Sequence, residues 1–139
     1  MVNVDYDSTW VIASILFAVA TCYAAVSMEE LVFKAPYKKL EKSILVTSGL
    51  TLGLAIWAMH FIGMLASHLP EGYHFDISLT VLSYLIGATA SVFAVWLTTR
   101  PTLPMLRLIL GALFLGLGIS GMHYTGMLAL SVEHHQLRY

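Results

Sequence analysis

Residues 53–66 read GLAIWAMHFIGMLA and residues 116–129 read GLGISGMHYTGMLA, nine of fourteen positions being identical at a shift of 63. The shared positions include Met59/Met122, His60/His123, Gly63/Gly126 and Met64/Met127. Imidazole and thioether are the ligand-binding groups of this set. Imidazole suits copper, zinc and iron, whereas thioether sulfur is soft and selects Cu(I). Calcium and magnesium need clustered oxygens, and neither motif holds a carboxylate. Zinc sites are built from cysteine, histidine or carboxylate and rarely use methionine. Copper fits this donor set best, with His60 and His123 as nitrogen ligands and Met59, Met64, Met122 and Met127 as candidate sulfur ligands.

The spacing refines that reading. On a helix, residues four apart are neighbours on one face, so His60 with Met64, and His123 with Met127, can each present a nitrogen and a sulfur to one point. Met59 and Met122 lie about 100° round the helix from their histidines and reach the same ion only at a seam between helices. Gly63 and Gly126 leave room beside the histidines for a ligand or a neighbouring backbone. A single histidine in an apolar helix is commonly a hydrogen-bonded core residue, and a single methionine is commonly filler. Ionisable groups inside a membrane are costly and usually functional, and this one recurs with the same neighbours. The repetition is what favours ligand binding.

The surrounding sequence places both motifs in a membrane. Of 139 residues, 58% are hydrophobic and 11% charged, against about 25% charged in soluble domains. A formal net charge of −1 offers no basic surface to nucleic acid. The one cysteine, Cys22, lies in an apolar run, can form no internal disulfide and is a weak soft-metal candidate. The start, MVNVDYDST, carries acidic residues and no lysine or arginine, unlike the positive first region of a signal peptide. The first apolar segment is therefore expected to be a real span.

A helix needs about 20 apolar residues to cross a bilayer, and four segments qualify: 10–28, 44–65, 77–98 and 106–130. Pro36, Pro70, Pro101 and Pro104 all fall between them, where they break no helix. The expected fold is an all-α membrane protein, one domain over residues 1–139, built as two helical hairpins. VIASILFAVATCYAAV (11–26) resembles VLSYLIGATASVFAVW (81–96) in its apolar and small-residue pattern, so the hairpin is used twice with the same topology. Parallel repeats are related by an axis along the membrane normal, which would bring His60 and His123 to one level. Gly49-x-x-x-Gly53 corresponds to Ala112-x-x-x-Gly116, and small residues at this spacing let helices approach closely in lipid. Close approach of the two motif helices is the expectation.

Lysine and arginine orient the spans. Lys34, Lys38, Lys39 and Lys42 follow the first span, and Arg100 and Arg107 flank the start of the fourth; SHLPEGYHFD has none and the tail only Arg138. The positive-inside rule puts both basic connections in the cytoplasm, and both termini and both motifs toward the outer face. Tyr6 and Trp10 would then sit at the outer interface. His68, His74, His134 and His135 are read mainly as solvated loop residues, with a possible part in guiding metal inward. Tyr124 and Thr125 offer hydroxyls near His123, but Phe61 and Ile62 stand in their place in the first copy. Met28, Glu29 and Glu30 fall at the inner end, and the lysines touch anionic lipid. No nucleophile–base pair, phosphate loop or carboxylate dyad is present, so the reading is non-enzymatic.

MHYTGM at 122–127, with MHFIGM at 59–64, resembles the MHYT family of bacterial integral-membrane sensor domains. The resemblance covers nearly the whole chain. It implies copper held by methionines and histidines, here Met59, His60 and Met64 with Met122, His123 and Met127, and sensing of a diatomic gas such as O2, CO or NO in the bacterial inner membrane. Family members usually have six or seven spans with three motif copies, and often carry cytoplasmic output domains. This chain has four spans and two copies, so it is expected to be a fragment or a minimal form; if the family site draws on three copies, the one here is incomplete or is completed by a second protomer, and the signal passes to a separate partner.

Four functions compete. A copper-binding sensory module leads. A haem-binding electron-transfer protein would use two histidines at one depth to ligate haem from both sides, but leaves four repeated methionines unexplained. Copper transport or delivery lacks a motif toward the cytoplasmic side to receive the ion. A purely structural bundle would use the histidines as a bond between helices.

Overall fold

The computed structural model describes residues 7–66, 73–100, 102 and 104–132. Four long helices dominate: α1 (Ser8–Phe33), α2 (Lys38–Ala66), α3 (Ile77–Thr98) and α4 (Met105–Ala129). Each is long and apolar enough to cross a membrane. Contacts run α1 to α2, α2 to α3 and α3 to α4, so the helices form a chain of neighbours. Burial follows that order: 33% and 28% of the span windows of α2 and α3 are buried, against 11% for α1 and α4.

Capping fixes where the hairpins begin. Asp7 is the N-cap of α1, its carboxylate accepting from the Thr9 backbone N–H at 2.8 Å. Asp76 does the same for α3, accepting from the Leu79 N–H at 2.8 Å. Aspartate is favoured there because its oxygen satisfies a backbone donor that has no partner within the helix. Each of these residues also closes its hairpin through the backbone. Asp7 N–H donates to Ala66 C=O at 2.9 Å, and Asp76 N–H to Ala129 C=O at 2.8 Å. The repeat is therefore Asp cap, outgoing helix, returning motif helix and terminal Ala carbonyl. Equating the two caps (76 − 7 = 69) pairs Ser14 with Ser83, and both are buried. This corrects the pattern match of 11–26 with 81–96, which is one residue out of register.

Other corrections concern boundaries and faces. The first two helices are longer than the expected spans 10–28 and 44–65. Lys38, Lys39 and Lys42 stand on the first turns of α2 rather than in a loop, because a helix satisfies its own backbone as it leaves the apolar layer. Within the connection expected to be plain loop, β1 (Tyr73–Phe75) pairs antiparallel with β2 (Leu130–Val132), His74 opposite Ser131. The ribbon ties the end of α4 to the start of α3.

The glycine ridge of α2 faces α3, not the other motif helix. A Cβ at Gly53 would lie 2.6 Å from the Ala88 Cα, and one at Gly49 would collide with the Val92 backbone. A Cβ at Gly116, the counterpart of Gly53, would meet nothing within 4 Å among the described residues of the other elements. Polar anchors reinforce the inner contacts. Ser48 Oγ, fully buried, donates to Ala25 C=O at 2.8 Å. Trp57 Nε1 donates to Ser83 Oγ at 3.0 Å.

Candidate metal centre

The two hairpins bring the motif ends of α2 and α4 together. His60 Nδ1 and His123 Nδ1 lie 3.4 Å apart, with ring centroids 4.7 Å apart and planes at 65°. At that separation a direct N–H···N bond is weak. First-row metal–imidazole bonds of about 2.0–2.1 Å to both nitrogens would subtend an angle of roughly 108–116° at a shared ion, close to tetrahedral. The nitrogen pair thus has the spacing of two ligands to one metal.

His60 is positioned by packing. A Cβ at Gly126 would stand 2.9 Å from His60 Nε2 and 3.3 Å from Phe61 Cε2, so a larger residue there would push the ring from this position. Phe61 sits edge-on to His60 at 5.3 Å and packs at a tilt against Trp57, 4.6 Å away, and Phe75 of the ribbon, 5.5 Å away. His60 Nε2 is buried with no hydrogen-bond partner. Such an orphan is costly, and with Nε2 sealed by Gly126, the nitrogen left to a ligand is Nδ1. The two copies are not equivalent. His60 is half-buried while His123 is exposed, and a Cβ at Gly63 would meet no described atom within 4 Å where one at Gly126 would meet a ring.

A cavity of about 330 Å³ opens at the seam, lined by Ile56, Met59, His60, Ile119, Ser120, Met122, His123 and Tyr124. Met59 and Met122 are thus the thioethers that share a cavity with both imidazoles. Met122 is almost fully buried, its Cγ against α3 at Gly87, whereas Met59 is 45% exposed. Met64 and Met127, on the histidine face by spacing, are not among the lining residues. Among the described residues no group of three or more His, Cys, Asp or Glu gathers as a metal site, so a metal here would need sulfur or an external ligand to complete its shell. Two larger cavities, about 710 and 650 Å³, lie at the opposite end near Lys38, Lys42, Arg100 and Arg107 and share no residue with the motifs.

The remaining candidates are dispersed. Cys22 is a half-buried free thiol on α1. Tyr124 lines the cavity but is 69% exposed, and Thr125 is not among the lining residues. His74 lies in the ribbon; His68, His134 and His135 lie outside the described residues, as do Tyr6 and Arg138. Sequence reasoning missed Phe61 and Trp57 as the aromatic support of His60. The signal was there, in three aromatic or imidazole rings at 57, 60 and 61 on one apolar turn.

The steric role of Gly126 gives a direct prediction. If the facing histidines hold copper, Gly126→Ala is expected to lower copper affinity by about tenfold or more, because displacing the support of a ligating histidine costs that much, with the helical content unchanged. Metal titration with circular dichroism on the same sample checks it.

The MHYT family, described as a bacterial signalling protein N-terminal repeat, matches residues 53–111 and 116–139, the two segments that carry the histidine motifs. The chain belongs to the MHYT family. Over 126 residues, 91% of its length, this MHYT chain is 42% identical to the bifunctional diguanylate cyclase/cyclic di-GMP phosphodiesterase MucR of Pseudomonas aeruginosa. It is 38% identical over 129 residues to the cyclic di-GMP phosphodiesterase NbdA of the same organism, and 30% identical over 130 residues to the signaling protein YkoW of Bacillus subtilis. It covers only 18%, 16% and 16% of those proteins. No solved structure matches it. Four membrane-length helices and this kinship make the MHYT chain a multi-pass membrane sensory module.

Proposed function

We propose that this MHYT module binds one copper ion between His60 and His123 and reads a diatomic gas there. The observation that supports this is the facing Nδ1 pair at 3.4 Å, beside a cavity that also holds Met59 and Met122. Held there, Cu(I) would supply a soft centre with a free coordination position. The chain's own work is to hold the two Nδ1 atoms at a spacing that one metal could bridge, seal His60 Nε2 against Gly126, and keep the thioethers at the seam. His60 belongs to the first hairpin and His123 to the second. A ligand that changes their spacing therefore biases how the hairpins pack, provided it binds the two arrangements with different affinity.

Haem is less well supported. The imidazoles touch, with centroids 4.7 Å apart, and a planar macrocycle between them would need the hairpins to separate. The excess of lysine and arginine at one end supports an orientation with that end in the cytoplasm and the motifs toward the periplasmic face of the inner membrane. The module itself is proposed to be non-catalytic. Its output is a partner or further domain on the cytoplasmic side, and the names of the relatives make cyclic di-GMP turnover the leading candidate.

Carbon monoxide tests the sensing step. Copper(I)-loaded protein in vesicles is expected to give an infrared C–O band that shifts with isotopic label and disappears in His60→Ala. A loaded protein with no such band would remove gas sensing while leaving copper binding to be judged by metal content.

A further inference from the structure

The internal repeat states a packing rule, and the chain leaves it half used. The motif helix of the first hairpin, α2, receives the outgoing helix of the next hairpin, α3, along Gly49 and Gly53, against Val92 and Ala88. Its histidine, His60, then seats against the next hairpin's glycine, Gly126. Among the described residues, the second hairpin presents the same elements uncovered. Ala112 and Gly116, the counterparts of Gly49 and Gly53, are exposed on α4, and a Cβ at Gly116 would meet no described atom within 4 Å. His123 is exposed.

The first hairpin holds the complementary half, also uncovered. The counterparts of Ala88 and Val92 at a shift of 69 are Val19 and Tyr23 on α1, 63% and 75% exposed. The glycine that would seat a histidine from a preceding hairpin is Gly63, open where Gly126 is filled. Depths agree: Tyr23 and Val92 each lie 15 residues from the start of their helix (23 − 8 and 92 − 77), and Ala112 and Gly49 each 17 from the end (129 − 112 and 66 − 49).

We propose that a second copy of this chain docks its α1 onto α4, Val19 and Tyr23 against Gly116 and Ala112, and receives His123 of the first copy beside its Gly63. The contact repeats one the chain already makes within itself, which is why a second copy fits the face better than a partner of another kind. Small residues at this spacing let helices associate in lipid by close packing. Contacts between unlike faces close into rings when the rotation allows, so each copy gives one histidine and receives another. One anchor differs. Trp57, which donates to Ser83, has Ser120 as its counterpart, so the contact between copies rests on apolar packing. The inference stands on packing and does not need the copper reading.

Disulfide trapping in chelator-washed membranes tests it without metal. In a Cys22→Ser background, Tyr23→Cys and Ala112→Cys are made in separate chains carrying different tags, co-expressed and oxidised with iodine. Both positions are exposed, so folding is preserved. The mixed-tag dimer is expected to exceed the dimer of either variant alone about tenfold, because docked partners react at an effective concentration that chance collision does not reach. Wild-type protein in mild detergent is expected to run as two or more chains, and Gly116→Phe as one. Absence of the mixed-tag dimer, or equal trapping in the single variants, overturns the proposal and gives the α4 face to lipid or to another polypeptide. Copper loss with trapping intact would count against the metal reading alone.

Discussion

Replacing both histidines, His60→Ala with His123→Ala, will bring copper in the purified protein to background. Their Nδ1 atoms lie 3.4 Å apart, and among the described residues no three-member cluster of His, Cys, Asp or Glu stands ready to take over. Loss of a group that merely orients a metal ligand costs 10–100-fold in affinity, so loss of a ligand itself should cost on the order of 100-fold or more. Either single variant should bind weakly and the double variant not at all. Metal analysis after dialysis against a mild chelator, beside a helical spectrum matching the parent, checks it. Equal copper in parent and double variant would leave the histidines a bond between hairpins.

Gly53→Leu will destabilise the protein by about 3 kcal/mol or more and will weaken copper binding with it. Overfilled cores typically lose 1–3 kcal/mol when side chains can shift. Here the obstacle is backbone, with a new Cβ 2.6 Å from the Ala88 Cα, and Ala88 is buried. Relief requires α2 and α3 to separate. Since α3 carries α4 and His123 with it, the separation opens the nitrogen pair as well. Denaturant titration in micelles reads the first effect and metal titration the second. Unchanged unfolding would mean that α2 and α3 do not meet backbone to backbone.

Much of this was legible in the sequence, for identifiable reasons. Four apolar runs of bilayer length can satisfy their backbones only as helices, so the spans followed from composition. The repeat at 53–66 and 116–129 implied two like hairpins, and like hairpins put His60 and His123 at one depth. Which faces meet was not legible. Gly49 and Gly53 mark a close approach, but nothing in their spacing says whether the neighbour is α3 or α4. The thioethers show the same limit. Four-residue spacing singled out Met64 and Met127, whereas the seam between α2 and α4 brings Met59 and Met122 to the cavity, a matter of helix rotation set by tertiary packing. The cap equivalence of Asp7 and Asp76 was hidden because the outgoing helices share little identity. It emerges only from two matched backbone bonds, to Ala66 and Ala129.

The unequal burial of the two histidines shapes how the site would respond. His60 is fixed by Gly126 and the rings of Phe61, Trp57 and Phe75. His123 stands on the more exposed helix, next to an exposed Tyr124. On the proposed reading, a ligand arriving at the seam would meet one imidazole packed against neighbouring rings and one that is exposed.

X-ray absorption at the copper edge, on copper(I)-loaded wild-type protein in membranes, tests the central claim most directly. The account predicts one copper per chain with nitrogen and sulfur together in its nearest shell, both lost when His60 and His123 are replaced. A shell of nitrogen and oxygen without sulfur, or a spectrum indifferent to those two histidines, would contradict it.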